Sequence, residues 1–194
     1  MLDKSLPYFH VLMRRSAGTP CPRPRLPEGF TFSLYSEGDD LEWAEIESSV
    51  GEFSSDRKAA LRFFREQFAA CPGEVERRVI FALDQEGARA GTSSVWWTYK
   101  SERRYPSLGW IGVKRKYQGR SIGKALVFYG MEKLIEIEGD QDVYLHTQTW
   151  SYKAIGVYLQ AGFEIMKEDT FAGFPNEYDK ALPILKKKMG ARLK

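Results

Sequence analysis

The spacing of apolar residues changes period along this chain, and each change predicts an element. Tyr8 to Met13 is an apolar run that reads as a short strand. Gly18 to Pro27 carries Pro20, Pro22, Pro24 and Pro27, which fix φ and remove amide donors, so this stretch reads as an extended arm. Phe30 to Tyr35 alternates as a strand does, and Asp39-Asp-Leu-Glu42 then offers a helix cap with an acid three residues on, ahead of Trp43, Ile46 and Val50 at helical spacing. Ser54 or Ser55 is expected to cap a second helix with Leu61, Phe64 and Phe68 on one stripe, stopped at Cys71-Pro72-Gly73. Val79 to Leu83 and Ala90 to Trp97 predict a hairpin across Asp84-Gln-Glu-Gly87, and Lys100 to Ser107 a polar connection.

Leu108 to Val113 is a further strand, and a Gly-containing turn leads from it into a long amphipathic helix. Val143 to Thr147 reads as a strand, Tyr152 to Gln160 as a helix stopped by Gly162, and Phe163 to Met166 as a strand. Tyr178, Leu182, Leu185 and Met189 return to helical spacing. A proline is tolerated only in a first turn, so this last helix is expected to begin near Pro183 and to end in the basic run Lys186 to Lys188, with Arg192 to Lys194 beyond it. No internal repeat is present. Strands alternating with helices in this order predict an α/β (α+β) sandwich whose central sheet is mixed and mostly antiparallel, with helices on both faces. The expected division is an N-terminal strand and arm over 1–27, a main domain over 28–170, and a partly helical tail over 171–194.

Composition narrows the function classes. With 194 residues and 43% hydrophobic content the chain can bury one substantial core. A net charge of +3 does not demand a polyanionic partner, and no nucleic acid is expected. Cys21 and Cys71 are too few for a disulfide scaffold and read as free thiols in a reducing compartment. No apolar run approaches the roughly 20 residues of a membrane span, and Asp3, Pro7 and His10 interrupt any signal-peptide order, so a cytoplasmic protein without a membrane partner is expected.

The most informative stretch is Val113-Lys-Arg-Lys-Tyr-Gln118-Gly-Arg-Ser-Ile-Gly123-Lys124. A turn from a strand into a helix leaves backbone N–H groups unpaired at the helix mouth, where the dipole adds partial positive charge, and such a turn can cradle a phosphate. The basic residues Lys114, Arg115, Lys116, Arg120 and Lys124 cluster there, although a solvated basic face would have the same composition.

These residues carry a resemblance. The chain from about 108 to 166 resembles the GNAT superfamily of acyl-CoA-dependent N-acetyltransferases, whose Q/R-x-x-G-x-G/A signature reads here Gln118-Gly-Arg-Ser121-Ile-Gly123, preceded by Ile111-Gly112-Val113. A second family landmark, N-x-x-A-x-x-x-Y-x-x-x-G-F, is matched by Ser151-Tyr-Lys-Ala154-Ile-Gly-Val-Tyr158-Leu-Gln-Ala-Gly162-Phe163. Ser121 stands where the family has its first signature glycine, and Ser151 where it has an asparagine.

The resemblance implies the GNAT fold and direct transfer of an acetyl group from acetyl-CoA, as cosubstrate, to an amine acceptor within a ternary complex, with no metal. It implies that Gln118, Gly119, Arg120, Ser121, Ile122, Gly123 and Lys124 receive the pyrophosphate, with Ser151 a further cofactor contact. It also implies that the edge Ile111, Gly112 and Val113 pairs the pantetheine amides, a main-chain N–H near Val113 polarising the thioester carbonyl. Tyr158 corresponds to the acid that protonates the departing thiolate. His146 lies where some branches place a base, and its ordinary pKa near 6.5 suits that work.

Each role has a plainer alternative: Tyr158 as a core aromatic, His146 as a structural histidine. Trp96, Trp97 and Tyr99 read as packing residues rather than as walls of an acceptor pocket, and Glu45, Glu47 and Glu52 as solvated helix faces rather than as carboxylates that attract a cationic amine. The rival function is a non-catalytic acyl-CoA sensor or interaction module, for which Tyr158 would be dispensable. The acceptor is not specified by the sequence, and a homodimer stays open.

Overall fold

The apolar runs become seven strands in a computed structural model that describes residues 2–190 and Leu193. In chain order the elements are β1 (His10–Arg15), β2 (Thr31–Leu34), α1 (Asp40–Ser49), α2 (Arg57–Gln67), α3 (Pro72–Arg78), β3 (Val79–Leu83), β4 (Arg89–Lys100), β5 (Arg103–Val113), α4 (Ile122–Glu138), β6 (Val143–Gln148), α5 (Tyr152–Gln160), β7 (Glu164–Ile165) and α6 (Tyr178–Met189). The sheet order is β2-β3-β4-β5-β6-β1-β7. The registered neighbours β2–β3, β3–β4, β1–β6 and β1–β7 are antiparallel, and β5 meets β6 in parallel at Ser107 and Tyr144. The sheet is therefore mixed, as the element order predicts. Among the described residues no helix is long and apolar enough to cross a membrane.

The chain divides into two compact units. One comprises Arg23–Val95 and Trp110–Lys133, and the other Leu2–Pro22, Trp96–Gly109 and Leu134–Lys194. In the first, Trp43 and Ile46 of α1, Phe64 of α2 and its C-cap Phe68 are buried with Val79, Ile80 and Phe81 of β3. Trp43 meets Phe64 at 5.2 Å and Phe68 at 5.7 Å between ring centroids, so the stripe expected on α2 is the face it buries. In the second, Leu12, Tyr105, Tyr144, Met166 and Phe171 form one apolar cluster. The N-terminal run supplies β1, which lies between β6 and β7 rather than at an edge.

Several local expectations are corrected. The cap of α2 is Asp56, whose carboxylate accepts from the amides of Lys58 and Ala59, whereas Ser54 and Ser55 lie in a left-handed turn before it with φ of +53° and +65°. Pro72 starts a helix instead of only ending one, because its fixed φ and missing donor suit a first turn. The polar stretch 100–107 is mostly strand, and Ser101, at φ +53°, turns β4 into β5. Helix α6 begins at Tyr178, with Pro183 inside it. The Asn176 side-chain oxygen accepts from the Tyr178 amide while its Nδ2 donates to the carbonyls of Met166 and Asp169, and this fixes the start. Tyr99 is 56% exposed and does not pack, while Trp96 and Trp97 stack on each other at 4.4 Å. Arg192 and Lys194 of the expected basic end lie outside the described residues.

Gly162 meets two demands at once. Its φ is +87°, and a Cβ there would lie 2.6 Å from Thr19 Cγ2 and 3.3 Å from the Pro20 carbonyl oxygen. Gly162→Ala should therefore destabilise the protein by about 1–3 kcal/mol through backbone strain and this clash. A denaturant midpoint unchanged by the substitution would show that the 19–20 segment yields without cost.

Candidate active site

Strand β5 ends at Val113, and the chain then turns through a short 3-10 segment, Arg115–Tyr117, into α4. The turn is fastened from both sides. Tyr117 is buried and donates its hydroxyl to the Asp84 carboxylate, and Gln118 donates from Nε2 to the Val113 carbonyl at 2.8 Å. The Ala125 amide donates to the Ser121 carbonyl at 3.0 Å, which makes Ser121 the N-cap of α4. The amides of Ile122, Gly123 and Lys124 then have no acceptor within the helix. Gly119, Arg120, Ser121 and Lys124 are exposed, whereas the Ile122 side chain is buried as an anchor. Amides left free at the positive end of a long helix, with exposed basic side chains nearby in sequence, can receive an anion.

Ser121 has φ +63°, so the backbone here is left-handed whichever residue occupies it. That conformation is the physical reason a glycine suits this signature position, and Ser adopts it at a cost of about 1 kcal/mol. At Gly123 a Cβ would touch only Val113 Cγ2, at 3.5 Å, an ordinary contact.

Not every residue of the basic run faces an anion. Lys114 is drawn to α1, its ammonium 3.0 Å from Glu42 and 2.8 Å from Glu45, and the bond from Lys114 holds the Glu45 carboxyl below the usual range. Lys116 lies over the Tyr117 ring and Lys124 over the Phe128 ring, at 4.5 and 5.5 Å from the centroids.

Glu47 contradicts its expected place on a solvated face. It is 1% exposed, and its Oε1 has no hydrogen-bond partner among the described residues. Burial first, and then the charge of Glu52, push its pKa up to about 8. The missed signal was its register, for Glu47 follows Trp43 by four residues and Ile46 by one, which sets it on the apolar stripe of α1.

His146, Ser151 and Tyr158 belong to the second unit. Ser151 precedes α5 as its N-cap residue without a side-chain cap bond. Tyr158 is 8% exposed on α5, with its ring edge-on to Phe163 at 6.3 Å. His146 lies on β6 with its Nε2 2.7 Å from His10 Nδ1 and its ring stacked on Phe174 at 4.0 Å. The His10 amide in turn donates to Glu177 at 3.0 Å. Burial, then the His10 ring, lower the His146 pKa to about 4, so this imidazole is neutral at pH 7 and does not titrate near neutrality as its ordinary value suggested. Among the described residues no group of three or more His, Cys, Asp or Glu side chains is placed to hold a metal ion.

The two shifted groups act on stability with opposite signs. Glu47 holds its proton more tightly in the folded chain than at its ordinary 4.5, so stability falls as pH rises from about 4.5 to 8, by at most about 1.4 kcal/mol per pH unit. His146 releases its proton more readily when folded, so stability falls as pH drops from 6.5 to about 4. Denaturant midpoints across pH 4–9 should stay nearly level between 4.5 and 6.5, where the two slopes oppose, and decline from 6.5 to about 8; Glu47→Gln should abolish the alkaline decline and uncover the acid one, and His146→Gln should extend the alkaline decline down to about 4.5. An alkaline slope that survives in Glu47→Gln would mean that this carboxyl is hydrated.

The model of the acetyltransferase (GNAT) family matches residues 39–163. The chain is 25% identical over 159 residues to a mycothiol acetyltransferase of Streptomyces coelicolor, covering 81% of this chain and 50% of that protein. It is 29% identical over 163 residues to the mycothiol acetyltransferase of Salinispora arenicola, covering 78% and 50%. It thus spans about half the length of the curated relatives it matches. A GCN5-related N-acetyltransferase from Sphaerobacter thermophilus shares the fold with a TM-score of 0.62 at 22% identity, over 81% of this chain and 48% of that one. The strand, turn and helix from Leu108 to Glu138 lie within the matched residues, and the chain belongs to the GNAT acetyltransferase family.

Proposed function

We propose that this chain transfers the acetyl group of acetyl-CoA directly to a primary amine, with both substrates bound together. The observation that carries the reading is the helix mouth at Ser121–Lys124, where unpaired amides and exposed basic side chains suit a pyrophosphate. Acetyl-CoA supplies a thioester already activated toward amines. Gln118 to Lys124 bind its phosphates, and Ile111 to Val113 hold the pantetheine arm as a strand edge would. Ser151 adds a cofactor contact from the mouth of α5. The Val113 N–H donates to the carbonyl oxygen as negative charge builds on it. Tyr158 protonates the departing sulfur, a role supported by its place in the Ala154 to Phe163 motif.

His146 as the base would have to work from a pKa near 4, which makes it a weak acceptor of an ammonium proton. Two cysteines, neither in a disulfide, support a reducing, cytoplasmic setting. The relatives named as acetyltransferases support acetyl transfer over a non-catalytic role.

Calorimetric titration with acetyl-CoA should show binding, and at about 100 times the dissociation constant the ligand should add roughly 2.7 kcal/mol of stability. Gly123→Val should weaken that binding while the fold persists; no heat and no thermal shift with the wild type would end the reading. Tyr158→Phe keeps the ring and removes the hydroxyl, so kcat should fall by about 10² with acetyl-CoA affinity unchanged. Turnover equal to wild type, measured where chemistry limits the rate, would remove Tyr158 from the acid role.

A further inference from the structure

The reading above leaves Glu47 without a task, although it is the most unusually placed carboxyl in its unit. A Cβ on Gly112 would lie 2.9 Å from Glu47 Oε1 and 2.8 Å from Ile46 Cγ2, so the carboxyl presses on the bare backbone of β5 one residue before Val113. Only a glycine permits that approach. The carboxyl is fully buried and its Oε1 bonds to nothing among the described residues, a costly arrangement unless a bound group completes it.

Aromatic residues flank it along both elements, Trp43 one helical turn before Glu47 on α1 and Trp110 two residues before Gly112 on β5. Trp110 stacks on Phe53 at 5.3 Å and meets Phe63 at 4.7 Å and Trp43 at 5.5 Å. Phe53, Phe63 and Trp110 are each only half-buried, so part of every ring faces outward. Phe53 is held in a left-handed turn, with Gly51, Phe53, Ser54 and Ser55 all at positive φ, and this turn also carries Glu52, whose charge acts on Glu47.

Resting on the acetyl-transfer reading, we infer that Glu47 takes the proton of the acceptor ammonium, and that the acceptor is a primary amine borne on an aromatic or bulky aliphatic group that lies against Phe53, Phe63 and Trp110. A positive ammonium beside Glu47 draws the carboxyl to its ionised form and gives Oε1 the partner it lacks, and an apolar body suits walls that a hydrated group would have to dehydrate. A carboxyl whose proton affinity is raised by burial is also a stronger base toward an ammonium than a solvated one.

The protons balance as follows. The Glu47 carboxylate takes one proton from the ammonium, and the freed nitrogen lone pair forms the C–N bond as the C–S bond breaks. The sulfur leaves with its electron pair and receives the Tyr158 proton. The second proton lost from nitrogen restores Tyr158, and Glu47 passes its own to water, so one proton is released per acetyl group transferred.

Thiol release from acetyl-CoA with 2-phenylethylamine and with ethanolamine as acceptors tests this. The wild type should prefer 2-phenylethylamine by at least about tenfold in kcat/KM, and Phe53→Ala should shrink that ratio. Glu47→Gln should lower kcat about 10²-fold at pH 7 with calorimetric acetyl-CoA affinity unchanged, and the deficit should narrow as pH nears the pKa of the free amine. Glu47→Asp, which keeps the carboxylate, should regain part of the rate. Equal use of the two amines, or a wild-type rate and pH profile in Glu47→Gln while acetyl-CoA still binds, would overturn the inference and leave the transferase reading standing. A wild type that binds no acetyl-CoA would overturn both.

Discussion

Around Gly112 and Val113 the backbone of β5 is approached so closely that its side chains must be small or absent. A Cβ on Gly91 of β4 would lie 2.7 Å from the Gly112 carbonyl oxygen and 3.0 Å from a Leu126 methyl of α4, while a Cβ on Gly112 would strike Ile46 and Glu47 of α1. The Lys114 amide donates to the Ala90 carbonyl at 2.9 Å, and Gln118 donates to the carbonyl of Val113. Two glycines thus let a strand and two helices close on one short stretch of main chain. Interiors packed this tightly are stiff, and main chain held this way can present donors without rearranging when charge develops. The turn into α4 starts from this fixed point.

The same stretch separates two kinds of carboxylate on one helix. Glu45 reaches Lys114 and is kept ionised, whereas Glu47, two residues on, is buried against Gly112 and driven toward its neutral form. A helix rotates about 100° per residue, so positions two apart point to nearly opposite sides, and one helix can carry a structural ion pair beside a carboxyl held in reserve. The second unit shows a comparable effect with imidazole. His146 is bonded to His10 and covered by Phe174, so β1 and the segment before α6 keep it neutral.

Much was legible in the chain itself. Periodicity located all the strands and most of the helices, because alternation and helical stripes record which positions meet the core. The double motif from Gln118 to Gly123 and from Ala154 to Phe163 was readable because each needs particular residue types at fixed local offsets. The left-handed backbone at Ser121 even explains which signature position tolerates little beyond glycine.

The remainder depended on backbone conformation and on contacts that spacing along the chain does not show. Asp56 rather than Ser54 or Ser55 caps α2 because the turn before it is left-handed, and Asn176 starts α6 five residues ahead of the expected point through bonds to Met166 and Asp169. The titration of His146 was set first by burial and then by a partner 136 positions away. Glu47 is the clearest case. Its four-residue spacing from Trp43 placed it on the apolar stripe, but a charged residue there is usually turned to solvent, and the burial against Gly112 is visible only in the folded chain. The sequence by itself determined the order of elements and the local chemistry of the helix mouth, because those follow from neighbours along the chain; the tertiary structure decided which carboxyl and which imidazole lose their water, because burial is a property of the surroundings.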